Sequence, residues 1–223
     1  MKTFEFKGHE FSISLDGILF WLDKKIAIIS DLHLEKGSSF ASGGQLVPPY
    51  DSLETLNKLL ESLEKNQVKE LILLGDTFHD DQAIERMSDD VIALLKSIID
   101  KYKVIFIRGN HDNKLRMDDM IFYEQYKLDG IHFIHEASKK NFYQITGHFH
   151  PIASLKINSK KIITKCLIHS DNLMILPSYG HYTGGLNITK SPLKEFININ
   201  SIIYLLSKKS VYKLPFKKIK NLL

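Results

Sequence analysis

The sequence has 223 residues, of which 43% are hydrophobic and 25% are charged, and its formal net charge is +4. This length predicts a single domain over residues 1–223, and the composition excludes a disordered or collagen-like chain. No apolar run reaches the roughly 18 residues of a membrane span, and the first residues lack the apolar segment of a secretory signal, so we expect a cytoplasmic protein without membrane contacts.

Short strands are predicted over the first thirty residues. Apolar and β-branched residues recur there in short runs, and Gly8 and Gly17 provide turn signals between them. Because tight turns connect antiparallel neighbours, we expect the sheet to begin with antiparallel strands. The predicted strands are residues 4–6, 11–15, 18–22 and 26–30.

Helices and strands alternate over the next eighty residues. Leucines at helical spacing predict an amphipathic helix over 51–66, capped by Asp51, and the same pattern recurs over 88–102. Apolar runs over 71–74 and 104–107 predict buried strands. This alternation predicts right-handed crossovers, parallel strands and helices packed on the sheet.

Beyond residue 130 the chain is predicted to be mostly strand. Short apolar runs are joined by short turns, and no repeat, linker or low-complexity tract marks a domain boundary. The predicted strands are residues 131–134, 142–146, 161–168, 173–176, 202–206 and 211–214.

Polar side chains follow these strands at the point where each strand ends. Ligand sites in α/β sheets form just beyond the carboxyl ends of strands, so we expect these side chains to meet at one edge. Five strands are followed by such groups, which are Asp31 with His33, Asp76, Asn110 with His111 and Asp112, His135, and His148 with His150.

These residue types match the ligands of divalent ions that hydrolyse phosphate esters. Such ions are held by imidazole nitrogens and carboxylate oxygens, commonly as a pair. A single cysteine excludes a disulfide framework and a cysteine-rich zinc site, whereas ten histidines allow a site of imidazole and carboxylate ligands.

The spacing of the ligand candidates suggests how they converge. In the segments 31–33 and 148–150, alternate side chains of an extended backbone are expected to point to the same face. Gly75, Gly109 and Gly147 precede ligand candidates, and glycine lets the backbone turn sharply and approach the ions closely.

The ordered motifs resemble those of the calcineurin-like metallophosphoesterases. The match consists of Asp31-x-His33, Gly75-Asp76, Gly109-Asn110-His111-Asp112, His135 and Gly147-His148-x-His150. Within that superfamily, residues 30–36, 75–79, 147–151 and 176–185 look most like the bacterial DNA ligase-associated phosphoesterase (PdeM) group. The resemblance implies an α/β fold that is a calcineurin-like four-layer αββα sandwich, with two mixed β-sheets flanked by helices.

The resemblance also implies two divalent metal ions as cofactors. The first would be held by Asp31, His33, Asp76 and His150. The second would be held by Asp76, Asn110, His135 and His148. Asp76 would bridge the ions, and a hydroxide held between them would attack phosphorus in line with the leaving group. Mn²⁺ is the preferred metal, with Zn²⁺ and iron as alternatives.

Two further histidines and one carboxylate have predicted roles. By the same resemblance, His111 is the general acid or transition-state donor, and Asp112 orients its ring. His79 is expected to contact the substrate phosphate. His132 and His135 lie three residues apart and face opposite sides of a strand, so only one can be a ligand. We favour His135 because it ends the strand.

The resemblance implies a hydrolase that cleaves phosphodiester bonds in nucleic acid or nucleotides, in DNA repair, with DNA and a DNA ligase or helicase as candidate partners. A protein Ser/Thr phosphatase is disfavoured because Thr77 and Phe78, rather than Arg and Gly, follow Asp76. The alternatives are a broad-specificity small-molecule phosphatase, a UDP-sugar-type pyrophosphohydrolase, and an inactive metal-stabilised binding subunit of a ligase or helicase complex.

The remaining polar residues are assigned to the surface or the core. His9, His169 and His181 are expected to be surface or core histidines, and Cys166 a buried apolar residue. The lysines near the end of the sequence are expected to form a solvated surface, with a phosphate-tracking patch as the alternative, and they are Lys208, Lys209, Lys213, Lys217, Lys218 and Lys220.

Overall fold

The first β-sheet has seven strands in chain order. The structure is a computed structural model that describes residues 1–45, 48, 50–112, 114–115, 120–157 and 159–219. The strands are β1 (Lys2–Phe6), β2 (His9–Ile13), β3 (Leu19–Trp21), β4 (Ile26–Ile29), β5 (Glu70–Leu74), β6 (Lys103–Ile107) and β7 (Phe122–Tyr123). The pairs from β1 to β4 are antiparallel and those from β4 to β7 are parallel, which confirms the predicted arrangement.

Two long helices pack on the outer face of this sheet. The helices of this half are α1 (Lys36–Ser42), α2 (Asp51–Lys65), α3 (Ala83–Arg86) and α4 (Asp89–Lys101). The two long helices, α2 and α4, are the two that the sequence predicted. The predicted cap at Asp51 is wrong, because Asp51 is already helical and its Oδ2 accepts a hydrogen bond from the Gly37 amide at 3.0 Å. Asp51 therefore ties α2 to α1.

The second sheet has nine strands among the described residues. They are β8 (Tyr126–Leu128), β9 (Ile131–Phe133), β10 (Gln144–Thr146), β11 (Pro151–Ile157), β12 (Lys160–His169), β13 (Leu173–Ile175), β14 (Leu186–Asn187), β15 (Ile202–Leu206) and β16 (Val211–Pro215). The order is β14-β11-β12-β13-β10-β9-β8, with β15 pairing with β12 and β16. The sheet is mixed, since β10 runs parallel to β9 and β13 while β12 is antiparallel to its neighbours.

Apolar side chains fill three layers around the two sheets. In β4, Ile26 and Ile28 face the second sheet, whereas Ala27 and Ile29 face α2 and α4. Because both faces of the parallel strands are covered, their sequences are continuous apolar runs. A 3-10 helix (Leu193–Phe196) and α5 (Phe216–Ile219) cover the outer face of the second sheet. The predicted αββα layering is therefore confirmed, and its fourth layer consists of these two short helices of one turn each.

Several residues outside the predicted site lie where the sequence placed them. Cys166 is fully buried in the layer outside the second sheet. No helix within the described ranges is long and apolar enough to cross a membrane. Lys220 lies outside the described residues, and the other lysines of the predicted solvated surface are exposed, namely Lys208, Lys209, Lys213, Lys217 and Lys218.

His169, the last residue of β12, packs among aromatic residues. Its ring centroid lies 5.2 Å from that of Phe4 and 6.3 Å from that of Tyr204. Burial, with a smaller contribution from the charge of Lys213, lowers the pKa of His169 to about 4 against the opposing effect of Asp171. Since an unfolded histidine has a pKa of about 6.5, the unfolded state binds this proton first as the pH falls. The stability that neutral His169 contributes above pH 6.5 is therefore lost between about pH 6.5 and pH 4.

We expect His169→Phe to abolish this part of the acid sensitivity. Between pH 7.5 and pH 4 the free energy of unfolding of the wild type should fall by about 3 kcal/mol more than that of the variant. Urea unfolding at a series of pH values measures the difference. Protonation of other groups affects both proteins and cancels, so parallel curves for the two proteins would contradict the burial of a neutral ring.

Candidate metal centre

The carboxyl ends of five strands bring the predicted ligands together. Asp31 and His33 follow β4, Asp76 follows β5, and the other predicted ligands follow β6, β9 and β10. Two groups form, and within each group the potential ligand atoms all lie within 4.8 Å of one another. The first group is Asp31, His33 and His150, and the second is Asp76, His135 and His148.

The first group is centred on a fully buried carboxylate. Asp31 Oδ1 lies 3.1 Å from His150 Nε2, which in turn lies 3.4 Å from His33 Nε2. His150 Nδ1 donates a hydrogen bond to the Gly184 carbonyl at 3.2 Å, so its Nε2 is left facing the group. His33 Nε2 also lies 3.9 Å from Asp76 Oδ2, which links the first group to the second.

The second group is held around Asp76 and an amide. His135 Nε2 lies 3.3 Å from Asp76 Oδ2, and Asn110 Oδ1 lies 3.1 Å from His135 Nε2 and 3.0 Å from His148 Nδ1. His135 Nδ1 donates to the Leu74 carbonyl at 2.9 Å, which directs its Nε2 inward. Asp76 Oδ2 thus lies near one histidine of each group, His33 in the first and His135 in the second.

The charges of the site are those expected around a cation. Burial raises the pKa of Asp31, but His150 and His135 outweigh it, so the pKa stays below its usual value. Burial also raises the pKa of Asp76, but the hydrogen bond and charge of His135 outweigh this effect, so the pKa of Asp76 lies below its usual value as well. Burial lowers the pKa of His33 to about 3. Burial lowers the pKa of His135 too, but the two carboxylates raise it to about 9, which reflects their strong negative potential.

The donor set fits divalent metal ions. His33 Nε2 and His150 Nε2 approach to 3.4 Å, and His135 Nε2 and His148 Nδ1 to 3.2 Å. Two imidazole nitrogens directed at each other beside a carboxylate are arranged as ligands that share one ion. Imidazole and carboxylate donors suit first-row divalent ions. The two groups are therefore candidate metal-binding clusters.

The ligand loops have a strained backbone. Five predicted ligands adopt the left-handed conformation, with φ values of 56°, 46°, 47°, 68° and 45° at Asp31, His33, Asp76, His148 and His150. The predicted extended segments at 31–33 and 148–150 are therefore wrong. A non-glycine residue in this region costs on the order of 1–3 kcal/mol, so neighbouring structure must hold it. The His33 amide donates to the Asp76 carbonyl at 2.9 Å, which ties two of these loops together.

His111 lies beside the first group. Its Nδ1 donates to the His79 carbonyl at 2.8 Å, and its ring stacks on the His79 ring at 5.5 Å. Its ring centroid is 5.0 Å from that of His33, edge to face. The His111 amide also donates to Asp76 Oδ1 at 2.9 Å. The His111 ring is thus held next to His33 of the first group, and its Nε2 has no hydrogen-bond partner among the described residues.

Asp112 does not orient the His111 ring, so that prediction is wrong. Its buried carboxylate accepts hydrogen bonds from the Gly109 amide and the Thr77 amide, each at 2.8 Å. Neighbouring side chains in this turn point in different directions, and Asp112 points into the loops. The His79 carbonyl performs the orienting role instead, and Asp112 holds two ligand loops together.

His79 and His132 occupy different environments. His79 has a buried Nδ1 without a hydrogen-bond partner in the described part of the chain, and it lies within 4.8 Å of His33 and His111 by potential ligand atoms. His132 packs its ring on Phe142 at 4.4 Å. Neither of the two groups contains His132, so the structure brings His135 rather than His132 to the other predicted ligands.

The sequence matches the calcineurin-like phosphoesterase family over residues 24–210. The chain belongs to the calcineurin-like phosphoesterase family. It is therefore a hydrolase that acts on phosphoester bonds, as the motifs predicted.

The solved structure of a nuclease shares this fold. The Pseudomonas putida nuclease MPE has a TM-score of 0.73 and 22% identity, over 96% of this chain and 99% of that chain. Yfce, a phosphoesterase from E. coli, has a TM-score of 0.43 and 16% identity, over 85% of this chain and 98% of that chain. No curated protein matches the sequence.

Two hydrogen-bonding partners of the ligands in this phosphoesterase were not predicted from the sequence, the Ser30 hydroxyl and the Gly184 carbonyl. The Ser30 hydroxyl donates to the Asp31 carboxylate and also lies 3.2 Å from the Leu74 carbonyl. Its position at the end of β4, next to Asp31, was an available signal. The Gly184 carbonyl that orients His150 carried no signal, because any residue offers a carbonyl and the two are 34 positions apart.

Glycine is needed where the loops pass the carboxylates. A side chain at Gly147 would overlap the Ser30 hydroxyl and the Asp31 carboxylate, and one at Gly109 would overlap the Asp76 carboxylate. At Gly75, a side chain would overlap the His135 ring. The backbone at these glycines approaches the ligands and their neighbours closely. The predicted approach to the ions themselves stays a prediction.

We expect Gly147→Ala to weaken Mn²⁺ binding by about 10- to 100-fold, the usual cost of disturbing groups that orient metal ligands. Gly184→Ala is the matched control, because a methyl group there meets nothing within 4 Å. Calorimetric titration with Mn²⁺ compares the two variants, and circular dichroism checks that both are folded. Equal affinities for Gly147→Ala and the wild type would contradict the role of this close approach.

Proposed function

We propose that this phosphoesterase hydrolyses phosphodiester bonds in nucleic acid or nucleotides with two divalent metal ions, and that Mn²⁺ is the preferred metal. The observation that carries the proposal is the meeting of two ligand groups at Asp76, with the His111 ring beside them. The likeness to the Pseudomonas putida nuclease MPE supports nucleic acid as the substrate class.

Seven residues would hold the two ions. The first would bind Asp31, His33, Asp76 and His150, and the second would bind Asp76, Asn110, His135 and His148. Bound there, the ions would supply Lewis acidity that lowers the pKa of water and neutralises phosphoryl oxygens. The carbonyls of Leu74 and Gly184 hold His135 and His150 in the orientation that ligation requires.

His111 would act on the leaving oxygen. Because Nδ1 donates to the His79 carbonyl, Nε2 is the nitrogen that faces the substrate, and in the imidazolium form it would donate a proton or a hydrogen bond to the leaving oxygen. Stacking on the His79 ring restricts rotation of the imidazole. His79, whose ring stacks on that of His111, would contact the substrate phosphate. Asp112 would contribute indirectly by fixing the loops that carry Asp76 and His111.

Hydrolysis of bis-p-nitrophenyl phosphate with and without Mn²⁺ tests this function. We expect metal-dependent turnover by the wild type and its loss in Asp76→Ala and His111→Ala. Absence of turnover by a wild type that holds two ions would instead support the inactive binding subunit. Faster hydrolysis of the monoester p-nitrophenyl phosphate than of the diester would support the small-molecule phosphatase.

Three finer predictions rest on the sequence resemblance or composition alone. They are the role in DNA repair, the ligase or helicase partner, and the cytoplasmic location. Cleavage of single-stranded and duplex DNA by the Mn²⁺-loaded protein would give the first of them an experimental basis.

A further inference from the structure

Helix α1 lies beside the metal centre, because its Phe40 ring and the His33 ring both contact the His79 ring. It begins at Lys36, directly after the loop that carries Asp31 and His33. Its start is fixed to α2 by two hydrogen bonds, from the Glu35 amide to Ser52 Oγ at 2.7 Å and from the Gly37 amide to Asp51 at 3.0 Å. The start of this helix therefore has a fixed position next to the ligand loop.

Lys36 and Phe40 lie on the same face of α1. They are four positions apart, which places them one helical turn from each other. Lys36 Nζ lies 5.8 Å from the centroid of the Phe40 ring. The Phe40 ring lies 6.1 Å from the His79 ring, and His79 stacks on His111 at 5.5 Å. An aromatic wall therefore runs from α1 to the histidine that we place at the leaving oxygen.

Lys36 follows the loop that carries Asp31 and His33, and its ammonium lies over the Phe40 ring. Lys36 is half-buried, and its ammonium makes no hydrogen bond or ion pair with any residue in the described ranges. Its charge acts on Asp76, and it lowers the pKa of His79 after the larger effect of burial. A cation beside a ligand loop that has no carboxylate partner among the described residues is suited to bind a phosphate oxygen.

We propose that Phe40 and Lys36 form a nucleotide subsite, in which the Phe40 ring stacks on an unpaired base and the Lys36 ammonium binds a flanking phosphate. The inference rests on the proposed function and narrows its substrate to single-stranded nucleic acid. Aromatic rings paired with cations are the usual means of holding single strands, because every base has a face for stacking. Bases in a duplex are already stacked and leave Phe40 without a partner.

Two oligonucleotides test the subsite. One is a single-stranded thymidine oligomer, and the other has the same length and backbone but abasic residues throughout. We expect Phe40→Leu to lower kcat/KM about tenfold on the thymidine oligomer and to leave the abasic oligomer unchanged. Phe40→Tyr should restore the wild-type preference for bases. Tyr212→Ala removes an exposed aromatic residue on β16 and should have no effect.

Lys36 is expected to act on both oligomers. Lys36→Gln should lower the affinity for each oligomer and reduce the slope of log affinity against log salt by about one. Lys36→Arg should keep the wild-type affinity and the wild-type slope. Equal losses in Phe40→Leu on both oligomers, or no loss on either, would overturn the subsite. If the wild type cleaves neither oligomer, the proposed function fails. The ratio of variant to wild-type affinity for each oligomer, measured by equilibrium binding in EDTA, still decides the subsite.

Discussion

Asp76→Ala is expected to remove both metal ions and to lower kcat/KM for bis-p-nitrophenyl phosphate by at least about 10³-fold. Asp76 Oδ2 lies 3.3 Å from His135 Nε2 and 3.9 Å from His33 Nε2, so its carboxylate serves both groups. Its loss takes a shared anionic ligand from each group. Asp76 Oδ1 also holds the His111 amide at 2.9 Å, so the loop that carries His111 loses a contact as well.

Metal content and activity measured together test this prediction. Inductively coupled plasma mass spectrometry of Mn²⁺-loaded protein should give two ions per chain for the wild type and fewer than one for Asp76→Ala. Asp129→Asn is the matched control, since Asp129 pairs with Lys24 at 2.7 Å and belongs to neither ligand group. Two ions bound by Asp76→Ala would show that the groups do not share this carboxylate.

His111→Ala is expected to lower kcat by about 10²- to 10⁴-fold while two metal ions stay bound, because the ring lies beside the two ligand groups and belongs to neither. Loss of a general acid costs most when the leaving group is a poor one. The variant should therefore lose more activity on DNA, which releases an alkoxide, than on bis-p-nitrophenyl phosphate, which releases a nitrophenolate.

The ratio of the two losses separates chemistry from structure. His181→Ala is a suitable control, because His181 is exposed and lies outside both ligand groups. An equal loss on the two substrates would assign His111 a role other than proton donation. A fall in metal content in His111→Ala would make it a structural support of the centre.

The sequence predicted the elements whose patterns are set by burial. Strands β4, β5 and β6 are covered on both faces, so their apolar runs are unbroken, and α2 and α4 present regular apolar stripes to the sheet. Helix α1 was not predicted, because its seven residues include Gly37 and three serines, which favour helix weakly. Its start is held by hydrogen bonds to Asp51 and Ser52, which lie far along the chain.

The ligand groups were predictable for a similar reason, whereas their details were not. Residues at the carboxyl ends of neighbouring strands must meet, so the order of motifs indicated which side chains converge. The sequence does not state which nitrogen each ring presents. His148 presents Nδ1, whereas His135 and His150 present Nε2 because the carbonyls of Leu74 and Gly184 bind the other nitrogen. Those carbonyls are brought there by the fold.

Asp112 shows the limit of reasoning from adjacency. Its place next to His111 suggested an orienting carboxylate, but side-chain direction in a turn depends on the backbone angles. The structure directs Asp112 to the amides of Gly109 and Thr77. The left-handed backbone at His33 and His150 was equally hidden, since tertiary contacts rather than the local sequence hold it.

Anomalous X-ray diffraction from crystals soaked in Mn²⁺ tests the central claim most directly. We expect two peaks, one on each side of the Asp76 carboxylate. The first should lie within ligand distance of Asp31, His33 and His150, and the second within ligand distance of Asn110, His135 and His148. A single peak, or two peaks that do not share Asp76, would contradict a two-metal phosphodiesterase built on these residues.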